Sequence, residues 1–169
     1  MLYKQPVDLS ITNQLDKIIA ATKRLWIKNY DTIPTSKDLF LASSIPVVEE
    51  TKDRNNLFIG LLNEQQKNIL ANAFGFGACT NAMFYAPNSC MGWHTNSDTP
   101  GIRTYYTYTE GEAIFRYKDP ITGDICNDFD NVGWTCRSFT IDPNRPLWHT
   151  VWSEKLRFAF GFNNDFKPN

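Results

Sequence analysis

Two features of this 169-residue chain predict an α+β fold that is mainly β. The first third and a little more carries apolar positions at helical spacing. From Cys79 onward, short aromatic and β-branched runs alternate with turn residues, at the spacing of a β-sandwich or barrel. Helices followed by a run of antiparallel strands point to a jelly roll, or double-stranded β-helix, with the amino-terminal helices packed on one sheet. The length suits a single domain over residues 1–169, with a mostly helical buttress over 1–78 and the jelly-roll core over 79–163.

Taken in order, Ile11, Leu15, Ile18, Ile19, Leu25 and Trp26 recur as one face of a first helix, with Ser10 as its cap and lysines on the far side. A short second helix begins at Ser36-Lys37-Asp38 and ends before Pro46. Residues 63–74 read as a third, with Asn63 at the cap, Gln66 completing a capping box, and Gly75 and Gly77 closing it. The stretch 47–56 is charged and turn-like. Strands are expected near 79–86, 90–96, 103–109, 112–118, 134–141, 147–152 and 156–163. Turns fall at Ala86-Pro87-Asn88, Thr99-Pro100-Gly101, Asp119-Pro120 with Thr122-Gly123, and Pro143-Asn144-Arg145-Pro146. The polar tail from Asn163 is expected to fray.

Composition narrows the function. Lysine and arginine number 17 against 18 acidic residues, a formal charge of −1 with no basic run. Nucleic acid is therefore a disfavoured partner, since a protein that grips a phosphate backbone normally shows a basic face. No segment approaches the ~20 apolar residues of a membrane span, and MLYKQPVDLS lacks the apolar run of a signal peptide. Cys79, Cys90, Cys126 and Cys136 have neither CxxC spacing nor a nearby histidine pair, and read as free thiols of a reducing compartment. The expectation is a soluble cytoplasmic domain; the oligomeric state is left open.

The chemistry gathers around the only two histidines. Both sit in the same tripeptide, Trp93-His94-Thr95 and Trp148-His149-Thr150, and each lies upstream of an arginine, Arg103 and Arg157. Imidazole is a common metal ligand and guanidinium the preferred partner of a carboxylate, so a metal site beside an acidic co-substrate is the natural reading. Side chains two apart on a strand share a face. Arg157, Ala159, Gly161 and Asn163 thus lie opposite Phe158, Phe160 and Phe162: one greasy face, and one with a charge followed by small residues that leave room for an anion. Arg103, Tyr105 and Thr107 likewise share a face, opposite Thr104, Tyr106 and Tyr108. Trp93, Trp134, Trp148 and Trp152 read as core more readily than as pocket wall, and Glu110, Glu112, Arg116 and Lys118 as a solvated rim.

Over Asn81 to Asn163 the chain resembles the iron(II)/2-oxoglutarate-dependent dioxygenases. Tyr85-Ala86-Pro87-Asn88 followed by His94 resembles the AlkB-type approach to the site, in which a tyrosine nine residues before the metal histidine touches the co-substrate. His149 followed by Arg157 resembles the family's distal histidine and the arginine that binds the far carboxylate of 2-oxoglutarate. The resemblance implies Fe(II) held by His94 and His149, 2-oxoglutarate clamped by Arg157 and hydrogen-bonded by Tyr85, with Tyr105 beside it. The family usually reads His-x-Asp or His-x-Glu, whereas this chain reads His94-Thr95-Asn96.

Three accounts are open. Asn96 ligates through its carbonyl oxygen; or Asp98, one pleat further on the same face, reaches in; or two histidines and waters suffice. The last resembles the aspartyl/asparaginyl β-hydroxylase branch, where an arginine nine residues after the first histidine binds the near carboxylate, as Arg103 would here. The distal His-x-Val-Trp of that branch also matches His149 to Trp152. The implied activity is hydroxylation of a small molecule or a protein side chain. Halogenases leave a small residue where Asn96 stands, cupins want His-x-His, and a base demethylase wants a basic stripe; each fits less well. The competing class is a non-enzymatic jelly-roll binding or virion-associated domain, or a relative with a degenerate metal site. Small stand-alone chains of this kind resemble ones from marine viruses.

Overall fold

The computed structural model describes residues 2–26, 34–46 and 58–164. The turn-like stretch 47–56 and the end of the polar tail lie outside the described residues. Thirteen elements follow in order: β1 (Tyr3–Gln5), α1 (Leu9–Trp26), α2 (Lys37–Ala42), β2 (Phe58–Gly60), α3 (Glu64–Phe74), β3 (Ala78–Tyr85), β4 (Ser89–His94), β5 (Gly101–Thr109), β6 (Ala113–Lys118), β7 (Ile125–Phe129), β8 (Gly133–Ile141), β9 (His149–Ser153) and β10 (Arg157–Asn163).

Local chemistry sets the helix ends. At α1 the cap is Asp8 rather than Ser10: the Asp8 carboxylate accepts from the Ser10 backbone N–H at 2.8 Å and the Ser10 hydroxyl at 2.7 Å. These hydrogen bonds hold the Asp8 pKa below the usual carboxylate value. Ser36 caps α2 by accepting from the Leu39 N–H at 3.2 Å. The capping box of α3 forms as expected, with Asn63 and Gln66 exchanging two bonds of 2.9 Å. Gly75 ends that helix at φ 75°, in the left-handed region open to glycine.

The strands form two antiparallel sheets. One has six strands in the order β1-β8-β5-β10-β3-β2, the other four in the order β4-β9-β6-β7. Successive strands from β3 onward pass back and forth between the sheets, with only β6 and β7 adjacent in both sequence and sheet. All seven expected strands are present within two residues or so at each end. Three more were not foreseen. β1 and β2 are three-residue edge strands, and β7 reads Ile-Cys-Asn-Asp-Phe, whose Asn127 and Asp128 are poor strand formers.

The helices do not all pack on one sheet. Ile11, Leu15 and Trp26 of α1 and Leu70 and Ala71 of α3 cover the greasy outer face of the six-stranded sheet, made by Phe84, Phe158, Phe160 and Phe162. Trp26 stacks on Phe84 at 5.5 Å and meets Phe158 edge-on at 5.3 Å, contacts worth about 0.5–1.5 kcal/mol each beyond their buried area. α2 instead covers the four-stranded sheet, where Phe40 stacks on Trp152 at 6.3 Å within a cluster that includes Cys90 and Ile114. The reason is that Cys90, Ile114 and Trp152 make an apolar patch on the outer face of that sheet, which Phe40 covers. No helix among the described residues is long and apolar enough to cross a membrane.

Between the sheets the side chains are mixed. Phe115, Phe139, Ile141, Leu147 and Val151 close one end, and Tyr85, Met91 and Ala159 line the other. The predicted face of β10 holds: Arg157 and Ala159 look inward while the three phenylalanines look out. Gly161 is required there, because a Cβ at that position would fall 2.7 Å from Tyr105 Cε1. Gly161→Ala is expected to destabilise the domain by about 1–3 kcal/mol through overpacking, read as a lowered urea midpoint with an unchanged m-value.

Candidate functional site

The two histidines meet across neighbouring strands. β4 carries a bulge between Met91 and His94, so that Met91 pairs with Val151 while His94 pairs with His149. Without the extra residue, strand alternation would turn Trp93 inward and His94 outward. With it, Trp93 points away and donates its indole N–H to the Ser43 hydroxyl at 3.0 Å. His94 faces His149 with ring centroids 4.2 Å apart, and each residue is 3% exposed.

Both rings are fixed in the same way. Nδ1 of His94 lies 2.7 Å from the Gly92 carbonyl oxygen, and Nδ1 of His149 lies 2.9 Å from that of Leu147. A carbonyl only accepts, so in the neutral ring Nδ1 carries the proton and Nε2 the lone pair. That is the tautomer of a metal ligand held from behind by a backbone acceptor. Phe115 stacks on His149 at 5.2 Å and restricts its rotation further.

Asn96 stands beside the pair, its Nδ2 3.3 Å from His149 Nε2. Rotation of the amide would present its oxygen to the same point, so a neutral third donor is within reach. Asp98 is placed differently from the expected strand position. β4 ends at His94, and Asn96 to Thr99 form a turn closed by the Thr99 N–H to the Asn96 carbonyl at 3.0 Å. The premise that Asp98 shares a strand face with His94 therefore fails, and the side chain sits exposed at the rim of a cleft. Among the described residues no three His, Cys, Asp or Glu side chains gather to hold a metal ion. The donor set present fits two imidazoles with an amide beside them, and not the carboxylate-completed triad.

His94 separates two spaces. A narrow inner chamber of about 30 Å³ lies between the sheets and is lined by His149, Tyr85, Tyr105, Arg157 and Arg137. An outer cleft of about 190 Å³ is lined by Asn96, Asp98, Thr99 and Arg103, with Met83 and Met91 on its apolar side. Tyr105, Asn81 and His94 border both. The expected site residues are therefore gathered, with Arg157 on the inner side and Arg103 on the outer. The four tryptophans singled out in the sequence line neither space.

The arginines are buried but held by different partners. Arg103 is bound by the Thr80 and Thr99 hydroxyls and the Thr99 carbonyl, at 3.1 Å for the last, and its Nε is buried without a hydrogen-bond partner. Among the described residues no carboxylate lies within ion-pair distance of it. Arg157 donates from Nε to Asp130 Oδ2 at 2.9 Å, and its guanidinium lies 5.2 Å from the Tyr85 ring centre. Burial works against ionisation of Asp130, but Arg137 and Arg157 outweigh it and the pKa is lowered. Burial pushes Tyr85 up to about 12 against the opposing pull of Arg157, and raises Tyr105 likewise. Both phenols are therefore protonated donors at neutral pH.

Sequence reasoning missed Asn81, Asp130 and Arg137. Asn81 shares the period-two face of Met83 and Tyr85; its amide hydrogen-bonds both site tyrosines, and its Oδ1 is buried without a partner. Arg137 is the one charge in the middle of an otherwise uncharged strand, a signal available to inspection. Asp130 sits in a stretch that reads as turn, and nothing local marks it. No protein-family model matches the chain, and no curated protein matches it.

The salt-bridge geometry has a pH consequence. Asp130 has a folded pKa below its unfolded value of about 3.9. Its contribution to stability is thus complete above that value and lost as pH falls through the lower, folded one. Asp130→Asn is expected to cost about 3–5 kcal/mol near neutral pH, because it leaves buried Arg157 without a carboxylate and Arg137 with Asp128 alone. In acid titration monitored by circular dichroism, the variant should lack part of the steep loss of stability that the wild type shows below about pH 4.

Proposed function

We propose that the protein is an iron(II)- and 2-oxoglutarate-dependent oxygenase of the two-histidine kind, acting as a hydroxylase on a small molecule or a protein side chain. The observation that carries the reading is the convergence of His94 and His149 inside the barrel, with Nε2 as the lone-pair nitrogen on each ring and a buried arginine on either side. The exchange of successive strands between a six- and a four-stranded sheet supports a double-stranded β-helix as the scaffold. Iron(II) would be held by His94 and His149, with the Asn96 amide as a neutral neighbour. A metal so held would supply the oxidising chemistry for hydroxylating a C–H bond, with 2-oxoglutarate as the co-substrate consumed.

The chain itself binds, orients and shields. Arg157, aimed into the inner chamber, suits the far carboxylate of 2-oxoglutarate. Arg103, with no carboxylate of its own, suits the near one. Tyr85 and Tyr105 are neutral at working pH, so they donate hydrogen bonds without repelling an anion. Phe115 and Phe139 wall His149 from water. A substrate would reach the site through the outer cleft, where Met83 and Met91 offer apolar contact and Asp98 a rim charge. Arg103 and Asn96 border the same space and would fix its orientation.

Anaerobic addition of iron(II) and 2-oxoglutarate tests the reading. At about a hundred times the dissociation constant the pair should stabilise the fold by ~2.7 kcal/mol, seen as a rise of a few degrees in Tm with a visible charge-transfer band. No shift and no band would leave a binding domain without this chemistry. Asn96→Asp should tighten metal binding on the order of tenfold, about 1.4 kcal/mol, because it supplies the missing anion. An indifferent affinity would mean that position 96 does not face the metal.

A further inference from the structure

The inner chamber holds a second guanidinium that the resemblance does not assign. Arg137, in the middle of β8, is fully buried and lines the chamber with His149 and Arg157. Its Nε and Nη2 donate to Asp128 Oδ2 at 3.1 and 2.9 Å, and Nη2 lies 2.5 Å from Asp130 Oδ1. Its Nη1 is buried with no hydrogen-bond partner. The Phe115 ring, 5.0 Å from the guanidinium carbon, offsets only part of the desolvation of such a donor, and a bound acceptor would relieve the rest.

Charge balance points the same way. Asp130 is the one fully buried carboxylate between Arg137 and Arg157, holding Nη2 of the first and Nε of the second. Asp128 is partly exposed and already shared with Lys4 at 3.1 Å. The neighbouring phenol of Tyr85 adds a donor and no charge. Two cations thus face the chamber from the same sheet, on β8 and β10 with β5 between them, and share one interior anion. A carboxylate entering the chamber would meet N–H groups that Asp130 has already oriented.

We propose that Arg137 and Arg157 together seat the far carboxylate of the co-substrate, with Arg137 Nη1 as a direct donor and Asp130 as the residue that positions both cations. This rests on the oxygenase reading and extends it to residues outside the family's motif. A two-guanidinium seat makes the site selective for a dicarboxylate over a keto acid of equal length with an apolar end, because loss of the far charge leaves two buried cations underbalanced.

The experiment is a ligand–protein cycle by isothermal titration calorimetry on manganese(II)-loaded protein. 2-Oxoglutarate is compared with 2-oxopentanoate, which carries a methyl group where the far carboxylate stands. The wild type should prefer 2-oxoglutarate by roughly a hundredfold. Arg137→Lys keeps a charge but loses the planar fork; it should cut that preference about tenfold while leaving 2-oxopentanoate affinity nearly unchanged. An undiminished preference overturns the assignment of Arg137 and leaves the oxygenase reading standing. Failure of the wild type to bind either keto acid overturns both. Should Arg137→Lys not fold, Asp128→Asn/Arg137→Gln removes one charge of each sign and leaves the Asp130–Arg157 pair intact. The same loss of preference is expected of it, and its retention overturns the proposal.

Discussion

A single extra residue in β4 decides which way His94 looks. Strand alternation is strict, so the bulge between Met91 and His94 exchanges the inward and outward places of His94 and Trp93 and sets His94 against His149. Three features follow from that exchange: the Gly92 carbonyl behind the His94 ring, the place of His94 between chamber and cleft, and the docking of Trp93 on Ser43 after α2. A bulge that re-aims a side chain costs some ladder hydrogen bonding. Here the four-stranded sheet tolerates it because β4 is an edge strand.

The space between the two sheets holds charge as well as hydrocarbon. Arg103, Arg137 and Arg157 are all buried, and each solves the desolvation problem differently. Arg103 rests on neutral oxygens, Arg137 on two carboxylates, and Arg157 on one carboxylate and an aromatic face. A core chosen for stability alone would replace such groups with hydrocarbon, often without penalty. Their presence between the sheets, around two imidazoles, is what the proposed binding of an anionic co-substrate would require.

Much of this was legible in the residues. The alternation of Arg157, Ala159 and Gly161 against three phenylalanines fixed both faces of β10, and the Asn63–Gln66 pair placed α3 to the residue. Seven strands were recoverable because aromatic and β-branched runs between turn formers leave few other options. What was not legible depends on distance in the chain. No local pattern marks the bulge, since Gly92-Trp93 fits a regular strand equally well. Ser10 and Asp8 are both good caps, and only the backbone register of the first turn chooses between them. Asp130 reads as loop, and acquires meaning only when β8 and β10 bring two guanidiniums to it. The division of the helices between the two sheets was hidden for the same reason: apolar periodicity reports that a face is covered, not by what.

Lys4 belongs to a three-residue edge strand at the chain's beginning, yet it is tied through Asp128 to the guanidinium of Arg137. The polarity of an interior pocket is thereby linked to the most peripheral strand of the larger sheet. Remote sensitivity is the practical outcome: affinity tags, cleavage scars or trimming near β1 would shift the charge around the pocket without touching any lining residue. Deep mutational profiles of this domain should show an isolated intolerant position at the amino-terminal margin, explained by electrostatic continuity and not by packing.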